Sequence, residues 1–186
     1  MRIIAGEHKG RQLKSVPGKM TRPTTDKVKE AVFQVIGPFF QGGIVLDLFA
    51  GSGGLGIEAL SRGMDKAVFV DKQPKAIHTI YENIKQFGLE ERVEVFRADA
   101  YRAMQAAAKR NLQFDLVLLD PPYKKVHYEN LLHELIKLDL LKPEARIYCE
   151  HDLSEKLPTD LREQHLEIVK QSNYGGTIGI TIYKKN

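Results

Sequence analysis

The chain has 186 residues, 42% hydrophobic and 28% charged, the proportions of an ordinary globular protein with one domain and room for a core that needs no staples. It has no apolar run long enough to span a membrane and no apolar N-terminal stretch of the signal-peptide kind. A single cysteine, Cys149, excludes an internal disulfide and any multi-cysteine metal site, which points to a reducing, cytoplasmic setting. The net charge of +4 is unevenly placed: residues 1–30 carry +5 and the remainder −1. From charge alone, that excess reads equally as a phosphate-binding arm or as a solvated, flexible end.

In chain order, Arg2 to Leu13 has short apolar pieces around two glycines and reads as a β-hairpin. A loop with Pro17-Gly18 and Arg22-Pro23 follows. Thr25 or Asp26 then caps a helix through about Ile36, with Val28, Ala31, Val32 and Val35 on one face. From Ile44 the pattern alternates. Strands are expected at Ile44–Leu48, Ala67–Asp71, Val93–Arg97, Phe114–Asp120 and Ala145–Glu150. Helices are expected between them at Leu55–Arg62, Lys75–Phe87, Ala100–Lys109 and Tyr128–Leu138. Two last strands, Leu166–Lys170 and Thr177–Tyr183, join through Tyr174-Gly175-Gly176. Such alternation implies a mostly parallel α/β sheet covered on both faces, with ligands at the carboxyl ends of its strands. Asp47, Asp71, Asp99 and Asp120 all fall at or just past those ends, so one shared site is expected.

Gly51-Ser52-Gly53-Gly54-Leu55-Gly56 matches G-x-G-x-x-G between a strand and a helix, and Asp71 ends the next strand about 20 residues on. The glycines permit a tight turn and close backbone approach, and Asp71 can accept from two ribose hydroxyls. An adenosine-containing cofactor follows. Asp47 separates the two candidates. A carboxylate inside the strand end suits the cationic amino-acid end of S-adenosylmethionine, but would repel the pyrophosphate of NAD. The stretch Asp47-Leu48-Phe49-Ala50-Gly51-Ser52-Gly53 resembles the first motif of class I methyltransferases. That resemblance implies a cofactor site formed by Asp47, Phe49, Gly51 and Gly53, with Asp71 on the ribose and Lys72 packing its stem on the adenine. Asp99 would reach the adenine amino group and Ala100 would add a backbone contact. Read structurally, an Asp at a strand end is a turn residue, and Asp99 is the N-cap of the helix that follows.

Asp120-Pro121-Pro122-Tyr123 ends the fourth strand. The prolines stiffen the turn and remove two donors while leaving carbonyl acceptors. An exocyclic base amine has two hydrogens and a delocalised lone pair. The Asp120 carboxylate and the Pro121 carbonyl can hold both hydrogens and aim the nitrogen. Asp120 also stabilises the positive charge that develops on nitrogen, and Tyr123 offers a face on which a flipped base can stack. The tetrapeptide resembles the Asp/Asn-Pro-Pro-Tyr/Phe signature of amino-group methyltransferases on nucleic acids, with some protein-glutamine members.

Arg2, Lys9, Arg11, Lys14 and Arg22 make the arm a candidate RNA contact. Arg2-Ile3-Ile4-Ala5-Gly6, Gly10-Arg11-Gln12-Leu13 and Arg22 through Phe33, joined to Asp-Pro-Pro-Tyr, resemble the bacterial 16S rRNA guanine-N2 methyltransferase family (RsmD-like) along nearly the whole chain. Lys29 stands where that family more often has Arg, which keeps pairing with phosphate or carboxylate but loses the bidentate fork. The resemblance implies a Rossmann-like seven-stranded class I methyltransferase sheet, mostly parallel, with an antiparallel C-terminal hairpin strand. Residues 1–24 would be an RNA-contacting arm and 25–186 the S-adenosylmethionine-dependent domain. Asp120, Pro121 and Tyr123 would be catalytic, with no metal. The partner would be 16S rRNA, free or in an assembling small subunit, the protein a monomer without a membrane partner. The alternatives are a DNA or RNA adenine-N6 methyltransferase, a non-catalytic RNA-binding module, and an NAD-dependent dehydrogenase. For the last, Tyr81 and Lys85 match a Tyr-x-x-x-Lys pair but lie on a helix away from the strand ends.

Overall fold

A computed structural model describes residues 1–18, 26–122 and 126–186. Helix α1 (Asp26–Ile36) precedes the alternating run β1 (Ile44–Asp47), α2 (Gly54–Ser61), β2 (Lys66–Asp71), α3 (Pro74–Phe87), β3 (Val93–Arg97), α4 (Ala100–Lys109), β4 (Phe114–Leu119), α5 (Tyr128–Lys137) and β5 (Leu141–Asp152). A hairpin of β6 (Leu166–Tyr174) and β7 (Ile178–Lys185) closes the chain. The seven strands form one sheet in the order β3-β2-β1-β4-β5-β7-β6. Strands β1 to β5 pair in parallel, and β7 runs antiparallel to both its neighbours. The order reverses between β1 and β4, and a ligand crevice opens at such a switch point.

The inner strands β1, β2 and β4 are buried on both faces, so they are apolar at nearly every position rather than at alternate ones. On one face Val45, Phe69, Leu116, Leu118, Tyr148 and Ile182 pack with α2, α3 and the N-terminal arm. On the other, Leu46, Val70, Val117, Leu119 and Cys149 pack with Met104 of α4 and Leu131, Leu132 and Leu135 of α5. Pro74 occupies the first turn of α3, where its missing N–H costs nothing, and Gly88 ends the helix in the left-handed conformation (φ 67°).

The element boundaries moved where pairing overrode local pattern. β4 stops at Leu119, leaving Asp120 just past the strand end. β5 is much longer than Ala145–Glu150. Its extra start contains Pro143 and Glu144 (φ 71°), where the pairing with β4 shifts register, so sequence alone reads it as a break. β6 continues to Tyr174 because β7 offers it a ladder over that length.

The N-terminal hairpin has one bridge, Arg2 to Gln12, and it is bolted down. Ile3 and Leu13 are core residues. The N–H groups of Ile4 and Ala5 donate to the two carboxylate oxygens of Glu58 in α2, at 2.9 and 3.1 Å. Gly6 has φ 88°, and a Cβ there would lie 1.8 Å from the Ser61 carbonyl oxygen, so only glycine permits this approach.

Candidate active site

Asp47 ends β1 with its side chain inside the protein, 1% exposed. Its Oδ2 accepts from the Gly56 N–H at 3.2 Å, while Oδ1 is buried with no hydrogen-bond partner among the described residues. Burial pushes this carboxyl up to about 7, with Asp71 adding to the rise and the Gly56 bond opposing it. An orphaned, buried carboxylate oxygen is costly unless a donor, preferably cationic, arrives to use it. The third glycine of the loop has a packing role. A Cβ on Gly56 would meet the Phe69 ring at 2.4 Å, so α2 could not lie so close to β2.

Gly51 (φ 57°) and Gly53 (φ 85°) both need the left-handed region. Gly51 donates its N–H to Asp71 Oδ2 at 2.9 Å, and Asp71 Oδ1 accepts from the Gln73 N–H at 2.9 Å. The turn after β1 and the carboxylate after β2 are therefore one structure, and each Asp71 oxygen keeps a further lone pair for a hydroxyl. Phe49 is half-buried against the α4–α5 side of the sheet. Lys72 and Asp99 are exposed, and Ala100 is buried. Asp99 caps α4, its Oδ1 accepting from the Arg102 N–H at 3.0 Å, while Oδ2 lies 3.8 Å from the Arg102 Nε in an exposed ion pair.

Asp120 lies beside Glu150, because Leu119 of β4 pairs with Cys149 of β5. Burial first, then the charge of Glu150, a hydrogen bond to it, and the charge of Asp47, hold the Asp120 carboxyl well above the usual range. Asp47 thus acts electrostatically on Asp120 and is acted on by Asp71. Three of the four carboxylates form one cluster across β2, β1 and β4. Pro121 is buried and Pro122 exposed. Tyr123 lies outside the described residues, as does Arg22. A cleft of about 1060 Å³ is lined by Tyr128, His151, Lys156, Asn173 and Thr181 among others, and by none of the clustered carboxylates.

The arm's basic residues differ in their freedom. Arg2 pairs with Asp26 at 2.7 Å and Lys14 with Glu82 at 2.8 Å, all four partly exposed. Arg11 stacks 4.4 Å above the Phe87 ring and donates to the Gln86 carbonyl at 2.7 Å. Lys9 is exposed with no ion pair among the described residues.

Sequence reasoning missed the buried members: Glu58, Arg62 and Glu150. Lys29 takes the carboxylate pairing left open for it, with Glu58. Glu58 sits at an inward position of α2 and Glu150 in an apolar strand. A charged residue where the pattern demands an apolar one was the available signal.

A family model described as "Conserved hypothetical protein 95" matches residues 1–184. The chain belongs to that family. Its members include proteins named for methyl transfer to ribosomal RNA. The chain is 50% identical to YlbH of Bacillus subtilis, a candidate rRNA methyltransferase, over 100% of this chain and 99% of that one. It is 32% identical to ribosomal RNA small subunit methyltransferase D of Haemophilus influenzae, over 99% and 92% respectively. Among solved structures, the candidate methyltransferase YhhF of Escherichia coli superposes with a TM-score of 0.83 at 28% identity, covering 100% of this chain and 98% of that one. A conserved hypothetical protein of Streptococcus pyogenes gives 0.79 at 42%, covering 86% and 96%. The family's fold is the seven-stranded sheet of class I methyltransferases, and its members are S-adenosylmethionine-dependent RNA methyltransferases.

Proposed function

We propose that this protein methylates the exocyclic N2 amino group of a guanine in 16S rRNA, as the names of its small-subunit relatives suggest. The observation that carries the reading is the juxtaposition of Asp120-Pro121, just past β4, with the orphaned carboxylate of Asp47 at the end of β1. Bound at the switch point, S-adenosylmethionine supplies an electrophilic methyl group. Asp47 would hold its ammonium group, Gly51 and Gly53 its backbone-lined edge with Phe49 beside them, Asp71 its ribose, and Lys72, Asp99 and Ala100 its adenine end. The buried Asp47 Oδ1 fits this group, since it needs a cationic donor and the described residues provide none.

On the other side of the crevice, Asp120 and the Pro121 carbonyl accept the two N2 hydrogens. This turns the lone pair toward the methyl group and opposes the charge that develops on nitrogen. Tyr123 stacks on the base. The cleft past Tyr128 and His151 gives room to flanking nucleotides. Residues 1–24 act as the RNA-contacting arm and 25–186 as the catalytic domain, with Arg2, Lys9, Arg11, Lys14 and Arg22 near phosphates. The test is transfer of labelled methyl groups to small-subunit rRNA from an unmodified strain. Wild type should label it, and Asp120→Ala should lose about 10²–10⁴-fold in rate. Unchanged labelling by Asp120→Ala would overturn the mechanism, and binding of NAD in place of S-adenosylhomocysteine in calorimetry would overturn the cofactor.

A further inference from the structure

Asp120 has a buried acidic partner that the methyl-transfer scheme above does not use. Glu150 is 4% exposed, and register places it next to Asp120 across the β4–β5 ladder. The two carboxyl groups are hydrogen-bonded to each other, which requires a proton between them. Two tyrosine hydroxyls bear on that proton's location. The Tyr148 hydroxyl donates to Glu150 Oε1 at 2.8 Å, and the Tyr128 hydroxyl donates to the Glu150 backbone carbonyl. With Oε1 taken by the Tyr148 donor, Glu150 serves as the acceptor in the pair and Asp120 as the donor of the shared proton. Among the described residues, the charged and titratable groups that face Asp120 are Asp47 from β1, Glu150 and Tyr148 from β5, and Tyr128 from α5. All are acidic types, so no cation among them competes for the shared negative charge.

We propose that Asp120 and Glu150 work as one acid pair carrying a single proton and a single negative charge, with Glu150 as the positioning residue that finally holds the proton released by the methylated amine. This rests on the amine-methylation reading of the site. In the step itself, the amine lone pair forms the N–C bond and the C–S bond breaks with its electrons left on sulfur. One proton of the now cationic nitrogen passes to the Asp120 oxygen facing it. The proton already on Asp120 crosses the hydrogen bond to Glu150. The pair goes from one proton to two and from −1 to neutral, and the extra proton leaves to water after product release. A lone carboxylic acid at Asp120 could hold the amine but could not take its proton. Beside Glu150 it can do both.

The experiment is a ¹³C carboxyl NMR titration of ligand-free protein, with Asp120 assigned by Asp120→Asn, followed by single-turnover methyl transfer. In wild type the Asp120 carboxyl should titrate well above the ordinary carboxylate range, and in Glu150→Gln its midpoint should fall, because a neighbouring negative charge has gone. Glu150→Gln should lose about 10–100-fold in the single-turnover rate, with KM for S-adenosylmethionine unchanged and the pH profile altered. A wild-type Asp120 that titrates normally would overturn the pair. So would a Glu150→Gln protein with wild-type rate and pH profile. Should Glu150→Gln fail to fold, Tyr148→Phe, which removes only the hydroxyl on Glu150, should still shift the Asp120 titration, and no shift would count against the pair. If wild type methylates no base amine, the reading of the reaction falls, whereas the titration still decides whether the carboxyls share a proton.

Discussion

Lys29 Nζ lies 3.2 Å from Glu58 Oε1, and neither side chain is exposed to solvent. The pair is closed by further bonds. Lys29 donates to the Arg2 carbonyl at 2.6 Å, Arg62 Nε donates to Glu58 Oε2 at 2.7 Å, and the arm's Ile4 and Ala5 N–H groups donate to the same carboxylate. Glu58 therefore joins α1, α2 and the N-terminal arm at one point.

Among the described residues, removing Glu58 leaves buried Lys29 without a carboxylate, Arg62 with only Glu30 at 3.4 Å, and two N–H groups unpaired, so Glu58→Ala should cost about 3–5 kcal/mol. Lys29→Met leaves Glu58 with Arg62 and the arm, and should cost clearly less. Urea denaturation of the two variants gives the comparison, and equal losses would contradict the central place of Glu58.

Asp47 should couple cofactor binding to pH. Its carboxyl sits at about 7 in the ligand-free fold, and the ammonium group of the ligand needs the ionised form. Affinity for S-adenosylhomocysteine should then fall by about tenfold for each unit below pH 7, with proton release on binding at pH 6. Calorimetry in two buffers of different ionisation enthalpy reads both. The stability sign runs the other way. The folded value lies above the ordinary 3.8, so the fold binds more protons than the unfolded chain between about pH 4 and 7. Stability declines as pH rises through that window. Asp47→Asn should stabilise the ligand-free protein at pH 8 by up to about 4 kcal/mol, less the cost of an unpaired amide N–H, while abolishing cofactor binding.

Two glycines of the loop should separate folding from binding. A Cβ on Gly51 meets nothing within 4 Å, so Gly51→Ala costs only the left-handed backbone, about 1–2 kcal/mol, yet obstructs a ligand on the turn. Gly56→Ala collides with Phe69 and should lower Tm far more. Thermal melts with and without S-adenosylhomocysteine would show the difference. A stabilising ligand shift retained in Gly51→Ala would contradict the placement of the cofactor.

The places of the candidate site residues were largely legible in the sequence because they lie on backbone landmarks. Asp47, Gly51, Asp71 and Asp120 are set by strand ends and by a turn that demands glycine, and both leave local signals. The parallel core was legible for a similar reason, since doubly buried strands are apolar nearly throughout. What stayed hidden depends on contacts between distant segments. The long start of β5 through Pro143 exists because β4 supplies a partner, and the arm's anchoring depends on Glu58, 54 residues away from Ile4. Arg11 shows the limit of reading charge alone. The charge density of the arm suggests phosphate, and the Arg11 guanidinium in addition holds the Phe87 ring and the Gln86 carbonyl.

That distinction is measurable. Lys9→Ala should leave stability unchanged and reduce the salt slope of RNA binding by about one. Arg11→Ala should cost about 1–2 kcal/mol of stability through its lost ring and carbonyl contacts. Binding isotherms at several salt concentrations, beside denaturation curves, would test the split. Loss of stability in Lys9→Ala would contradict it.

The most direct test of the central claim is the identity of the modified nucleoside. Small-subunit rRNA from an unmodified strain, treated with the protein and S-adenosylmethionine and digested to nucleosides, should yield N2-methylguanosine with wild type and none above background with Asp120→Ala. N6-methyladenosine as the product, or N2-methylguanosine formed equally by both proteins, would contradict the account.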